Sequence, residues 1–350
     1  MRESIFFSAI RAFFIALFAM VGICFGFILL IILVGVLAAG SSATTTELEM
    51  TYTPEIVANA DGVRKSLSKE SPVILKLNVV GVIGADPLTT DAVRRQLEES
   101  REGSLKNNRV KAILLNINSP GGTVVDSDGI YRAIKEYKER YKVPVYAYVD
   151  GLCASGGMYV ASAADKVFAS DVSIIGSIGV LSPAFFNFTQ LMEKIGVQAL
   201  TLTAGKGKDE LNPLRPWVPG EQDTLQHLID YYYSQFVDIV TANRPNLDKK
   251  KLVDEYGAKV FNPIQAKEYG YINENGFDYS SSLKLLLKEI AIEDDFYQVV
   301  ELQKKTWYSE LFKTEWSLLK GKVTHEIRLS PDMHPDLMNQ FLYLYRPDQL

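Results

Sequence analysis

The chain has 350 residues, 47% of them hydrophobic, enough for a membrane segment plus one large globular domain or two small ones, and too apolar for a disordered chain. Its 37 Lys and Arg against 42 Asp and Glu give a net charge of -5 and include no basic cluster able to hold a phosphate backbone, which excludes a nucleic-acid partner. The two cysteines, Cys24 and Cys153, are not expected to pair, because the first lies in an apolar N-terminal run.

That run covers residues 12–39 without a charged side chain. At roughly 1.5 Å of rise per residue, a helix of this length more than crosses a hydrocarbon core of about 30 Å. A cleaved secretory signal is the alternative, and Ala38, Ala39 and Gly40 offer small residues, but a signal's apolar region is about 7–15 residues long. We therefore expect a retained single-pass anchor. Arg2 and Arg11 precede it and no base follows up to Thr46, so residues 1–11 are expected in the cytoplasm and the rest of the chain across the membrane.

Residues 40–69 read as a Gly/Ser/Thr-rich tether and polar linker. From residue 70, apolar runs of strand length alternate with helical patterns: strands over 73–80, 110–118 and 143–149, helices over 90–102 and 126–140. This alternation predicts βαβ units, a largely parallel sheet and an α/β fold. The Ala/Gly/Met-rich stretch 155–164 suits a buried helix, 166–169 a short strand and 198–203 another strand. Beyond Gly220 the pattern turns helical, over 221–243 and 248–256. We take 70–290 as the globular domain and 291–350 as a C-terminal extension. Its last part, 307–350, has no steady period and is broken by Pro331, Pro335 and Pro347.

Three segments could carry chemistry. Ser119-Pro120-Gly121-Gly122 follows a strand, and paired glycines there allow backbone N–H groups to approach a ligand closely. An ordinary βα turn would look the same. Ser155 and Gly156 follow the next strand, where a hydroxyl and the following N–H could meet one carbonyl group, although a helix N-cap is an equally ordinary use of serine. This is not the G-x-S-x-G pattern, since Cys153 replaces its first glycine. A serine nucleophile needs a base. None of the three histidines, His227, His325 and His334, sits at a strand end or in a glycine-rich turn. The turn Gly205-Lys206-Gly207-Lys208-Asp209 offers two lysines, and at a strand's period of two both project to one side. Either would need its pKa brought from about 10.4 to about 7, roughly 4–5 kcal/mol of preference for the neutral form, which burial must supply.

Taken together and in order, the Ser119–Gly122 turn, Ala154-Ser155-Gly156-Gly157-Met158-Tyr159, Ala163-Ala164-Asp165-Lys166, Gly176-Ser177-Ile178-Gly179-Val180 and Gly205-Lys206-Gly207-Lys208-Asp209 resemble the signal peptide peptidase A family of serine proteases. The resemblance covers residues 73–276 and implies a Clp/crotonase-like spiral of ββα units behind one N-terminal transmembrane helix. It implies Ser155 as nucleophile, Lys208 rather than Lys206 as general base, and Gly122 and Gly156 as oxyanion-hole donors. Ser177 matches the serine that holds the lysine amine. Lys206 departs from the family, where an uncharged residue is usual. The implied activity is endopeptidase cleavage of remnant signal peptides at the inner membrane through an acyl-enzyme, without metal or cofactor, in a homo-oligomer whose neighbouring subunits share the dyad. The rival readings are a crotonase-like acyl-CoA enzyme and a catalytically silent membrane scaffold.

Overall fold

The structure, a computed structural model, describes residues 13–23, 25–30, 51–68, 70–305 and 342–345. It divides into two units after Met50. In the first unit, helix α1 (Phe13–Leu30) is long and apolar enough to cross a membrane, and none of it is buried. Cys24 and the remainder of the expected 12–39 span lie outside the described residues, as do 1–11 and the tether over 40–50.

The second unit is α/β. Its parallel centre consists of β2 (Val73–Val80), β3 (Val110–Ser119), β5 (Val145–Ala154) and β6 (Lys166–Ala169), hydrogen-bonded in that order. These strands read as unbroken apolar runs because both faces of the sheet are covered. On β3, Ile113, Leu115 and Ile117 face one core, which also holds Val93 and Leu97 of α2 (Thr90–Glu99) and Ile130 and Ile134 of α3 (Val124–Tyr141). Ala112 and Leu114 face a second core with Leu283, Leu286 and Leu287 of α9 (Tyr279–Glu289).

β2, β3 and β5 each lead through a short second stretch into a helix, which is the ββα repeat that the family resemblance implied. After β2, Ile83 bridges to Gly122 before α2 begins; after β3 comes β4 (Gly121–Thr123) and then α3. The second half of β5 leaves β6 and pairs Leu152–Ala154 with β7 (Ile174–Gly176), and α4 (Gly156–Ala161) follows. Thr123 both ends β4 and caps α3, its hydroxyl accepting the Asp126 N–H at 3.0 Å.

Several expected boundaries move. The strand over 143–149 runs on to Ala154, because Gly151 turns it from one partner strand to the other with φ +117°. Helix α2 stops at Glu99, whose buried carboxylate accepts the Thr51 and Tyr52 N–H groups at 2.8 Å each. Those bonds seat β1 (Tyr52–Val57), a strand within the stretch expected to be linker. Its antiparallel partner, β10 (Gln298–Lys304), also pairs with β2, so the sheet takes in residues beyond the 290 boundary. The strand expected over 198–203 is absent: 197–204 have no strand pairing in the single chain. The arm around them carries α5 (Thr189–Ile195), and α6 (Asp223–Asn243) leads back to the core through buried Phe236, Val237 and Val240.

The expected 248–256 helix divides into α7 (Lys249–Lys251) and a wider turn over Leu252–Tyr256. The remaining elements are β8 (Val260–Phe261), α8 (Pro263–Glu268), β9 (Glu274–Asn275) and β11 (Leu342–Leu344), the last paired antiparallel with β4. The rest of 307–350 apart from 342–345 lies outside the described residues. Leu115 is fully buried at the centre of β3, so Leu115→Ala is expected to cost about 2–5 kcal/mol. Urea unfolding should show this as a lower midpoint at unchanged slope.

Candidate active site

Ser155 stands where β5 ends and α4 begins, with φ +53° and ψ -119°, a left-handed conformation costly for a side-chain-bearing residue. Its backbone is fixed from both sides. The Ser155 N–H donates to Gly176 O at 2.9 Å, and its carbonyl accepts the Tyr159 N–H at 3.0 Å. Ser155 occupies the N-cap position of α4, but its side chain makes no capping bond, so its hydroxyl does not serve the role that the sequence alone allowed. The residue is 1% exposed.

Around it the backbone comes unusually close. A Cβ added at Gly156 would lie 2.4 Å from the Ser127 hydroxyl and 3.2 Å from the Gly122 nitrogen. A Cβ at Gly122 would lie 1.8 Å from Ile83 O. Only glycine fits at either position, and their mutual approach brings the backbone of β4 against the start of α4. Gly156 opens its helix, so its N–H belongs to those left without an intrahelical acceptor. On β4, Ile83 N–H donates to Gly121 O at 2.9 Å and Thr123 N–H to Ile83 O at 3.0 Å, so the intervening Gly122 peptide faces the opposite side. Ser119 ties the turn down: its hydroxyl donates to Gly81 O at 2.7 Å and accepts the Gly121 N–H at 3.1 Å.

Ser177 directly follows Gly176, the β7 residue paired with Ala154, and is 6% exposed. Ser155, Gly156, Gly122 and Ser177 are therefore assembled at one end of the sheet. Neighbouring Cys153 is an unlike case: fully buried, it has its thiol pushed up to about 12 by desolvation and serves as packing.

Lys208 is not part of this cluster in the single chain. It is exposed, as is Lys206, and among the described residues no hydrogen bond joins either to Ser155. What the sequence did not reveal is how firmly its turn is held. Arg215 donates to the Asp209 carboxylate at 2.8 Å, to Asp209 O at 2.7 Å and to Glu221 at 2.6 Å. Hydrogen bonding to Arg215 holds the Asp209 and Glu221 carboxyls below the usual range. Depressed carboxylates favour the clasped state above about pH 4, and the clasp is lost only as pH falls through their lowered values. His227 is exposed on α6, while His325 and His334 lie outside the described residues.

Arg244 was equally unmarked in the sequence. It is 4% exposed and donates to Ala161 O at 2.9 Å and Ala164 O at 2.6 Å, the carbonyls that end α4. It thus fixes the far end of the helix whose near end carries Ser155.

A serine on a strained strand-to-helix turn, with two glycine backbones packed closely beside it, is an arrangement that a serine hydrolase working by acyl transfer can use. The sequence model of Peptidase family S49 matches residues 136–289. A putative protease of Synechocystis sp. is 37% identical over 203 residues, 58% of this chain and 69% of that protein. A putative signal peptide peptidase SppA of Enterococcus faecium is 27% identical over 326 residues, 88% of this chain and 91% of its own. A ClpP1 mutant from Listeria monocytogenes overlays 59% of this chain and 93% of its own at 17% identity and a TM-score of 0.39. The chain belongs to peptidase family S49 and is a serine-type peptidase.

The strain at residue 155 gives a direct test. Ser155→Gly, which relieves the positive φ, should raise stability by about 1 kcal/mol, whereas Ser155→Ala, which keeps it, should not. Thermal unfolding of the two variants beside the parent reads the difference, and equal midpoints would refute the strained turn.

Proposed function

We propose that this protein is a membrane-anchored serine endopeptidase in which Ser155 is the nucleophile and Lys208, supplied by a neighbouring copy, is its base. The observation that carries the reading is the strained Ser155 turn beside the Gly122 and Gly156 backbones. An uncharged Lys208 amine takes the Ser155 proton, the alkoxide attacks a peptide carbonyl, and the two glycine N–H groups stabilise the oxyanion. The amine then protonates the leaving group, and water cleaves the acyl-enzyme. In this reading Ser177, which follows the Gly176 that accepts the Ser155 N–H, holds the amine.

Three features support a shared site. Lys208 is exposed in the single chain, so its desolvation has to come from outside. Residues 197–204 have a strand-like sequence but are exposed and have no strand pairing in the single chain, which leaves them free to pair with another copy. The arm also exposes Phe186, Ile195, Leu200 and Leu202, two of them at 85%. Helix α1 supports anchoring, with the catalytic unit on the extracytoplasmic side of the inner membrane. A tether there raises the local concentration of enzyme around bilayer-held peptides such as released signal peptides, which we take as the substrate class.

The test mixes two inactive proteins. Ser155→Ala and Lys208→Ala should each lose roughly 10²–10⁴-fold in peptide cleavage, and co-assembled subunits should regain it. Regain requires the intact Lys208 of one copy to meet the intact Ser155 of another; silence of the mixture beside an active parent rejects the shared dyad. Fluorophosphonate labelling should fall on Ser155 alone. Because Arg215 fixes the Lys208 turn from a half-buried position outside the core, Arg215→Ala should lower kcat/KM by about tenfold, or about 1.4 kcal/mol, while the melting temperature stays nearly constant.

A further inference from the structure

The first turn of α3 reaches both glycine backbones of the site. Thr123, one residue past Gly122, has each of its polar groups engaged. Its N–H donates to Ile83 O at 3.0 Å, its hydroxyl donates to Asp126 Oδ2 at 2.7 Å and accepts the Asp126 N–H at 3.0 Å, and its carbonyl accepts the Ser127 hydroxyl at 2.7 Å. Asp126 Oδ1 accepts the Thr90 N–H and the Thr90 hydroxyl at 2.9 Å each, which fastens the start of α2 to the same point. Thr123 and Ser127 are both fully buried, so the bond between them has no water to replace it. A serine hydroxyl that bonds the carbonyl four residues back is by itself an ordinary feature of a helix. The surroundings of this one are not ordinary. A Cβ at Gly156 would lie 2.4 Å from Ser127 Oγ and 3.2 Å from both the Gly121 Cα and the Gly122 nitrogen. The Ser127 oxygen therefore fills the space in which a side chain at residue 156 would stand, against the start of α4. One residue on, Asp128 accepts the Tyr159 hydroxyl at 2.8 Å, so the same turn also holds the body of α4.

We propose that Ser127 is a positioning residue for acyl transfer: its hydroxyl, held on the Thr123 carbonyl while Asp126 anchors the Thr123 side chain, fixes the gap between the Gly122 and Gly156 backbones and so the convergence of their N–H groups on one oxygen. This rests on the reading of those N–H groups as the oxyanion donors beside Ser155. Donors fixed in advance stabilise a developing charge without reorganising as it forms. They act mainly on the tetrahedral state, so a small displacement of one donor raises the barrier and leaves binding of the uncleaved peptide nearly unchanged. Ser127 acts only through β4 and α4; it does not itself touch the reacting atoms.

The test uses the full-length protein in detergent, with fluorophosphonate labelling carried to completion so that every rate is expressed per labelled Ser155. Ser127→Ala should lower kcat on a peptide substrate by about tenfold at a KM within about twofold of the parent. It should raise the inhibition constant of the matching peptide aldehyde, whose hemiacetal oxygen takes the oxyanion position, by about the same factor. Asp126→Asn keeps the shape and the acceptor for Thr90 but removes the acceptor for the Thr123 hydroxyl. It should show the same pattern at about threefold and carries the test if Ser127→Ala does not fold. Ser100→Ala removes an equally buried hydroxyl at the far end of α2, where it donates to Leu97 O at 2.6 Å. That control should melt at a lower temperature with kcat, KM and the inhibition constant at parent values. An unchanged kcat in the α3 variants, a loss confined to KM, a kcat loss without weaker aldehyde binding, or an equal kcat loss in Ser100→Ala each overturns the proposal and leaves the peptidase reading in place. If the parent shows no Ser155-dependent cleavage of any peptide, the oxyanion assignment fails and this proposal with it.

Discussion

The backbone of Ser155 holds a conformation that only glycine adopts freely, and the geometry of the site follows from how that conformation is maintained. β5 crosses from β6 to β7 at Gly151, and the Gly176 carbonyl then takes the Ser155 N–H. A side chain at Gly156 would press on Ser127 and on the Gly121–Gly122 backbone, and one at Gly122 would run into the Ile83 backbone. Strain of on the order of 1–3 kcal/mol at one residue persists when the surroundings over-determine it. Here the surroundings are a buried sheet end and Arg244 at the far end of α4.

That arrangement divides labour between rigid and adaptable parts. The sheet end fixes the Ser155 turn and the Gly122 and Gly156 backbones, the groups that the proposed chemistry uses. The arm over residues 181–222 is largely exposed, with its own local order set by the Arg215 clasp rather than by a core. In the proposed reading the chemistry is incomplete until a second copy contributes Lys208. The β4 edge adds a second constraint. An open strand edge pairs with whatever extended segment reaches it, and here that segment comes from the same chain.

Much of this was legible in the residues. The strands over 73–80 and 110–118 and the helices within 90–102, 126–140 and 221–243 were readable because periodicity and buried apolar content report local structure directly. The Gly-Gly turn and the Ala154–Tyr159 segment were readable because close backbone approach restricts the residue type. β1, β4, β7, β8, β9, β10 and β11 were missed: they are short, and each exists as a strand only through a distant partner, as β1 does through β10. The expected strand over 198–203 shows the converse, a strand-like sequence with no partner in its own chain.

The sequence by itself determined the apolar N-terminal helix, the α/β alternation, the family, and the residue types the chemistry can draw on, because each is encoded within a few neighbouring positions. Only the tertiary structure decided that Ser155 is strained rather than capping, that Gly122 and Gly156 face each other, that Arg215 and Arg244 brace their segments, and that Tyr343 lies opposite Gly122. Those facts depend on backbones separated by tens to hundreds of residues coming within hydrogen-bonding distance, and no local pattern of side chains records such a meeting.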